Sequence, residues 1–322
     1  MTASVVRASD FPYFPQIFLA GAPRCGSTSI SKFLSRHPQI CFSRPKEVYY
    51  FNHVTDKSLP RIREAYLDRY FPHFDPNRHL ALGEGSVSYL YEPEVIERIL
   101  SIQPEARFIV AVRNPLDMLR SYHYRLLFLL EEDQQDFAKA WELQDARVRG
   151  ERVPRMCREP RRLLYREVAS FGKHIGRLIE TVGRERCHIV VQDDIKDRAH
   201  EVSRDLLRFV GVEDNIDAVA FEDGRSHFPH RMHSKTYRWR WLQALLYKPP
   251  AAVFKAAERN EIKRGVRPFG LKRLHKKLVK FNRVMQTPEP FSPELRARLR
   301  DAFAEDVHKL GTILDRDLSH WR

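Results

Sequence analysis

The chain has 322 residues, 43% hydrophobic and 30% charged, with 20 Pro against 13 Gly, which is enough to bury a substantial core and excludes a disordered chain or a disulfide miniprotein. No run approaches the ~20 apolar residues of a membrane-spanning helix, and Met1 to Asp10 lack the apolar core of a signal peptide, so a soluble, cytoplasmic protein is expected. The net charge of +14 comes from one segment, since Arg225 to Arg283 holds 17 Lys or Arg against Glu258 and Glu261 while the remaining chain holds 39 basic and 40 acidic residues.

In chain order, the apolar run Gln16–Ala20 leads into Gly21-Ala-Pro-Arg-Cys-Gly-Ser-Thr-Ser29, followed by Ile30, Phe33 and Leu34 at helical spacing. This reads as buried strand, tight loop and helix. Further runs of strand length are Gln39–Phe42, Leu80–Gly83, Phe108–Val112 and His188–Val191. Between them, helical period marks Pro93–Ile102, Leu116–Leu130, Phe137–Arg149, Phe171–Val182 and Val202–Val210. Strands alternating with helices predict an α/β fold with a mostly parallel central sheet, and ligands on such sheets bind beyond the strands' carboxyl ends. From Gly211 to Tyr237 the sequence is polar and aperiodic and reads as a long loop. Basic helical segments follow from Arg238, then a Thr287-Pro-Glu-Pro290 break and a last helix from Ser292, its N-cap, to Leu314. The expected organisation is one domain, with a core over 14–215 and a basic loop and helical extension over 216–322.

The four cysteines, Cys25, Cys41, Cys157 and Cys187, form no CxxC pair, and the 14 His form no HExxH cluster. Reduced thiols and no metal are expected. Gly21 and Gly26 are spaced as in phosphate-binding loops, with Thr28 in the hydroxyl position but Ser27 where a nucleotide-hydrolysing loop has lysine. Such a loop still serves anions, because glycines let amides converge at a helix N-terminus and Arg24 adds a cation. The alternative reading is a plain strand-to-helix turn.

These motifs resemble the sulfotransferases that use 3′-phosphoadenosine 5′-phosphosulfate (PAPS). The loop Gly21–Ser29 is similar to their 5′-phosphosulfate loop, and Arg113 followed eight residues on by Ser121 is similar to their 3′-phosphate motif. Lys46-Glu47-Val-Tyr-Tyr-Phe51 and Gly83-Glu-Gly-Ser-Val-Ser-Tyr-Leu90 resemble segments of the bacterial-type and carbohydrate or heparan sulfate members, as does the ending Leu314–Trp321. One position departs: Gly85 stands where the family has lysine. The resemblance implies donor binding by Arg24, Cys25, Gly26, Ser27, Thr28, Ser29, Arg113 and Ser121, with Arg225, Arg231 and Lys235 in a loop that closes over the 3′-phosphate. It implies no metal.

For the chemistry, Glu47 matches the family's general base, and its neighbours Val48, Tyr49 and Tyr50 predict a desolvated carboxylate of raised pKa. Glu84, His53, His123 and His227 are the other candidate bases. Arg24 is permanently protonated and suits charge stabilisation, and Lys46 is the candidate second cation. Structural readings stand beside these: an ion pair for Arg113, a Lys46 or Arg44 pair for Glu47, and a core position for Phe171, which otherwise would lie near the nucleotide. The acceptor implied is a hydroxyl on a carbohydrate or other metabolite, including an anionic or lipid-linked glycan. The competing classes are a magnesium-dependent phosphotransferase and a basic module for nucleic acid or a membrane surface. The last rests on Tyr237, Trp239, Trp241 and Tyr247 among the cations, whose plain alternative is a solvated helical face.

Overall fold

The computed structural model describes residues 14–53, 66–214, 234–247 and 269–321. The five apolar runs form one parallel sheet: β1 (Ile17–Gly21), β2 (Ile40–Phe42), β3 (Ala81–Glu84), β4 (Arg107–Val112) and β5 (Cys187–Val191), in the order β2-β3-β1-β4-β5. Every residue of β1, β2 and β3 is buried, the burial on both faces that gives parallel strands continuous apolar sequences instead of alternating ones. Ile17 lies opposite Gly83 on one side, and Phe18 opposite Phe108 on the other. After β1 the chain builds β2 and β3 to one side, then β4 and β5 to the other. The strand order therefore reverses at β1, and the crevice beyond its carboxyl end is where such sheets bind ligands. Because all five strands run the same way, Ala22, Ser43, Gly85, Arg113 and Gln192 follow their strands at one edge of the sheet.

The helices Pro93–Leu100, Phe171–Val182 and Ala199–Val210 are amphipathic and bury stripes such as Val95, Ile96 and Ile99, or Phe171, Ile175 and Leu178. Phe171 is fully buried, which makes it core. The helix it opens is capped from far away: Asp306 accepts from the amides of Gly172 at 2.9 Å and Lys173 at 2.8 Å. The predicted single helix Phe137–Arg149 is instead two, Phe137–Glu142 and Gln144–Val148, with Leu143 at ψ 0° between them. Buried polar groups decide this. Gln144 donates to the Leu163 carbonyl at 2.9 Å, and Arg147 pairs with buried Glu132 at 2.7 Å; leaving such groups unpaired would cost more than one interrupted helical turn.

The chain falls into two compact units, one of Met1–Met118, Ser170–Phe228 and Arg300–Arg322, the other of Leu119–Ala169 and Pro229–Leu299. The first contains the sheet. In the second, β6 (Ser234–Tyr237) pairs antiparallel with β7 (Arg283–Gln286), and the helices Arg240–Tyr247 and Phe269–Asn282 lie between them in sequence. The predicted loop from Gly211 thus ends in a strand, and Arg225, His227 and Arg231 lie outside the described residues. The proline break does separate β7 from the helix Pro293–Leu314, where Ser292 Oγ accepts from the Leu295 amide at 3.2 Å as expected of an N-cap. Beyond that helix, Arg316 pairs with Asp194 at 2.6 Å, and Leu318 and Trp321 are buried.

Candidate active site

The loop leaving β1 turns into the helix Ser27–Leu34 through Gly26 at φ +97°, a conformation side chains with a Cβ rarely adopt. Ser29 and Ile30 donate back to the Gly26 carbonyl at 2.9 and 3.3 Å. No side chain caps the helix, so the Ser27 and Thr28 amides, which have no carbonyl a turn earlier in the helix, are suited to an anion. Arg24, itself at φ +65°, and Thr28 are exposed, while Ser27 is buried. Cys25 is fully buried, and burial pushes its thiol up to about 12. Its share in the predicted donor set is therefore its backbone and not its sulfur. None of the four cysteines forms a disulfide.

At the end of β4, Arg113 Nη1 lies 3.5 Å from the Arg24 carbonyl, and Nη2 lies 3.4 Å from Asp117. The ion pair and the reach to the loop coexist in one guanidinium. Ser121 is buried in the second turn of the helix Pro115–Phe128.

Lys46 connects the loop to the candidate base. Its ammonium donates to Ser27 Oγ at 3.0 Å and to Glu47 Oε1 at 3.2 Å. Burial lowers its pKa, and Glu47 partly offsets this. The side chain lies across Gly85: a Cβ there would stand 3.0 Å from Lys46 Cε and 3.2 Å from Cγ. The glycine that replaces the family's lysine therefore gives another lysine its path to the loop.

Glu47 is not the desolvated carboxylate its neighbours suggest. Its side chain is 37% exposed and is held by Lys46 on one oxygen and the Tyr49 hydroxyl on the other. Tyr49 adopts φ +53°, which turns the flanking side chain back onto the carboxylate instead of covering it. The desolvated glutamate is Glu84. It is fully buried, and burial raises its pKa although the Ser86, Tyr66 and Tyr89 hydroxyls oppose the rise. Caged in this way, Glu84 serves as an anchor. It accepts from Ser86 Oγ and Tyr66 Oη, and the same Ser86 oxygen accepts from the amides of Val48 at 3.2 Å and Tyr49 at 2.9 Å. A buried carboxylate thereby orients the hydroxyl that fixes the backbone beside Glu47. Phe51 secures the far end of the segment, fully buried with ring centroids 5.3 Å from Tyr66, 6.0 Å from Phe18 and 6.2 Å from Tyr89.

His123, a candidate base, is buried with Nδ1 2.8 Å from the Tyr165 hydroxyl and Nε2 3.2 Å from the Gln135 carbonyl, and burial lowers its pKa. Both ring nitrogens are engaged, which makes it structural. His53 ends the short helix Tyr50–His53. Sequence reasoning assigned no role to Ser86 or Tyr66 and took Tyr49 only as a desolvating neighbour of Glu47. For Ser86 a signal existed, its alternation with Glu84 at a strand end.

A sulfotransferase domain model matches residues 14–232, more than half of the chain. Among curated proteins, the membrane-associated sulfotransferase kil1 of Dictyostelium discoideum is 25% identical over 116 residues, 36% of this chain and 24% of that protein. Mouse carbohydrate sulfotransferase 15 is 26% identical over 148 residues, 33% of this chain and 26% of that protein. The chain thus spans about a quarter of the length of these relatives. A sulfotransferase structure from Alicyclobacillus acidocaldarius superposes with a TM-score of 0.62 at 22% identity, covering 96% of this chain and 99% of that one, and shows the same fold. With the family model spanning the sheet, the glycine loop, the Lys46–Glu47 segment and Arg113, the chain belongs to the sulfotransferase domain family.

Proposed function

We propose that the chain transfers a sulfuryl group from PAPS to an acceptor hydroxyl, with Glu47 as general base. The observation that carries this reading is the Lys46 ammonium, within 3.0 Å of Ser27 on the loop and 3.2 Å of Glu47. One cation thereby links a place for a phosphosulfate to a carboxylate that can take a proton. The residues fit the donor: amides at a helix N-terminus, the exposed Arg24 and Thr28, and Arg113 at the next strand end.

When bound, PAPS supplies the sulfuryl group and a phosphate leaving group. Glu47 removes the acceptor's proton as the acceptor oxygen bonds to sulfur and the bond from sulfur to the bridging phosphate oxygen breaks. Arg24, Lys46 and the loop amides meet the charge that collects on the departing phosphate, the largest contribution such a site can make. Ser27 and Glu47 position the Lys46 ammonium for this. Arg113 and Ser121 hold the 3′-phosphate, with Arg225 from the segment outside the described residues. Nothing in this scheme draws on a metal ion.

Mouse carbohydrate sulfotransferase 15 is named for carbohydrate acceptors, and a carbohydrate or similar metabolite hydroxyl is the acceptor class we assign here. Partly exposed Glu47 suits an acceptor arriving from solvent. The test is incubation of the enzyme with cell extract and sulfate-labelled PAPS. A labelled sulfate ester formed by the parent and lost in Glu47→Gln supports the assignment. Equal labelling by both proteins would remove Glu47 from the role.

A further inference from the structure

Nine Lys or Arg and no Asp or Glu occupy the stretches 234–247 and 269–286. Both belong to the second compact unit. The same stretches hold five of the eight exposed large hydrophobic side chains among the described residues: Trp239 at 42%, Trp241 at 67%, Leu245 at 52%, Phe281 at 52% and Met285 at 54%. Leu242 and Gln243 are the buried side of the helix Arg240–Tyr247, and Gln243 donates to the Phe128 carbonyl while Asn282 donates to Gln243 at 3.0 Å. Trp241 and Leu245, four residues apart, form a stripe on the other side. The helix Arg240–Tyr247 thus buries Leu242 and presents Trp241 and Leu245.

The apolar groups are also interleaved with cations. The Trp239 and Phe281 rings lie 5.4 Å apart, and the Arg238 guanidinium sits 5.5 Å from the Phe281 centroid. Exposed Lys277 and Lys280 precede Phe281 on the helix Phe269–Asn282, and exposed Lys235 stands opposite Met285 in the β6–β7 ladder. We infer that this face docks on an anionic lipid bilayer, with Trp241, Leu245 and Phe281 entering the interface and the cations meeting lipid phosphates. Charge complementarity selects the partner. Stretches with nine cations and no acidic residue favour an anionic partner, and the aliphatic Leu245 and Met285 gain from an acyl boundary what stacked nucleobases do not offer them. No helix among the described residues is long and apolar enough to cross a membrane, so the association is one of lying on the surface. The inference stands apart from the catalytic reading, since its test needs no turnover.

The full chain is mixed with phosphatidylcholine vesicles, with and without phosphatidylglycerol, and floated. Co-flotation is expected only with the anionic vesicles, weakening as salt is raised, with a blue shift of tryptophan emission. Trp241→Ser combined with Leu245→Ser should abolish the blue shift and most of the binding, with an unchanged melting temperature because both positions are exposed. Lys277→Gln with Lys280→Gln should weaken binding by roughly fivefold per lysine. Absence of co-flotation at low salt overturns the proposal. So does full binding by the Trp241 and Leu245 double variant, or displacement from the vesicles by single-stranded RNA at stoichiometric amounts, which would assign the face to nucleic acid.

Discussion

Replacing Lys46 with methionine separates the charge of this side chain from its shape. Methionine keeps most of the stem that lies over Gly85, so the packing there survives. What disappears is the ammonium between Ser27 Oγ at 3.0 Å and Glu47 Oε1 at 3.2 Å. At that separation a bare ion pair would be worth about 5 kcal/mol in an effective dielectric constant near 20. The two side chains are 18% and 37% exposed, however, and solvent screening reduces the net worth of such a pair to about 0–1 kcal/mol. Burial already disfavours the charge on Lys46, and removing it relieves that cost. The fold should therefore change by less than about 1 kcal/mol, which moves Tm by only a few degrees. Turnover is another matter, because the ammonium faces the charge that develops as sulfur changes partners. Losing one such donor costs about 10²–10³-fold in kcat. Melting curves and transfer of labelled sulfate from PAPS measure both quantities. The parent should also lose activity at a pH below the ordinary lysine range, and Lys46→Met should lack that alkaline limb. A folded Lys46→Met protein with kcat within a few-fold of the parent would show that the ammonium does not stabilise the departing charge.

Glu47→Gln should lower turnover by roughly 10²–10⁴-fold while binding of adenosine 3′,5′-bisphosphate, measured by calorimetry, stays near that of the parent. Arg113→Ala should weaken that binding by about 1.5–3 kcal/mol. In Gly85→Ala the new Cβ would stand 3.0 Å from Lys46 Cε and 3.2 Å from Cγ, so that side chain must give by a few tenths of an ångström, and kcat should fall by less than in Lys46→Met with donor affinity retained. Burial tends to raise the Asp194 pKa, yet Arg316 and Arg198 outweigh it and hold the carboxyl below its ordinary value. The stability this pair contributes is present above the unfolded carboxyl's pKa and lost as pH falls through the lower folded one. Arg316→Met should therefore destabilise the protein by about 1–2 kcal/mol at neutral pH, with the gap to the parent closing in acid, as followed by denaturant melts across pH.

The sheet was legible because its strands are buried on both faces and so read as unbroken apolar runs. The glycine loop was legible because positive φ at Gly26 restricts the residue that can stand there. The break at Leu143 was not. It depends on Gln144 and Arg147 finding partners at Leu163 and Glu132, and no helical period encodes bonds of that kind. The cap of the helix Phe171–Val182 comes from Asp306, far along the chain. Within the site, Lys46 and Glu47 stood out as neighbours, yet reading their flanking residues as a desolvating wall misjudged Tyr49, whose hydroxyl bonds to the carboxylate. Glu84, whose pKa burial raises, owes part of its cage to Tyr66, which lies in a stretch of no readable period.

The proposed transfer requires a donor held at both of its phosphates, by the Gly21–Ser29 loop at one end and Arg113 at the other. Calorimetric titration of the chain with adenosine 3′,5′-bisphosphate and with adenosine 5′-phosphate tests this. Much tighter binding of the bisphosphate is expected, with the difference disappearing in Arg113→Ala. Equal affinities for the two nucleotides in the parent would contradict it.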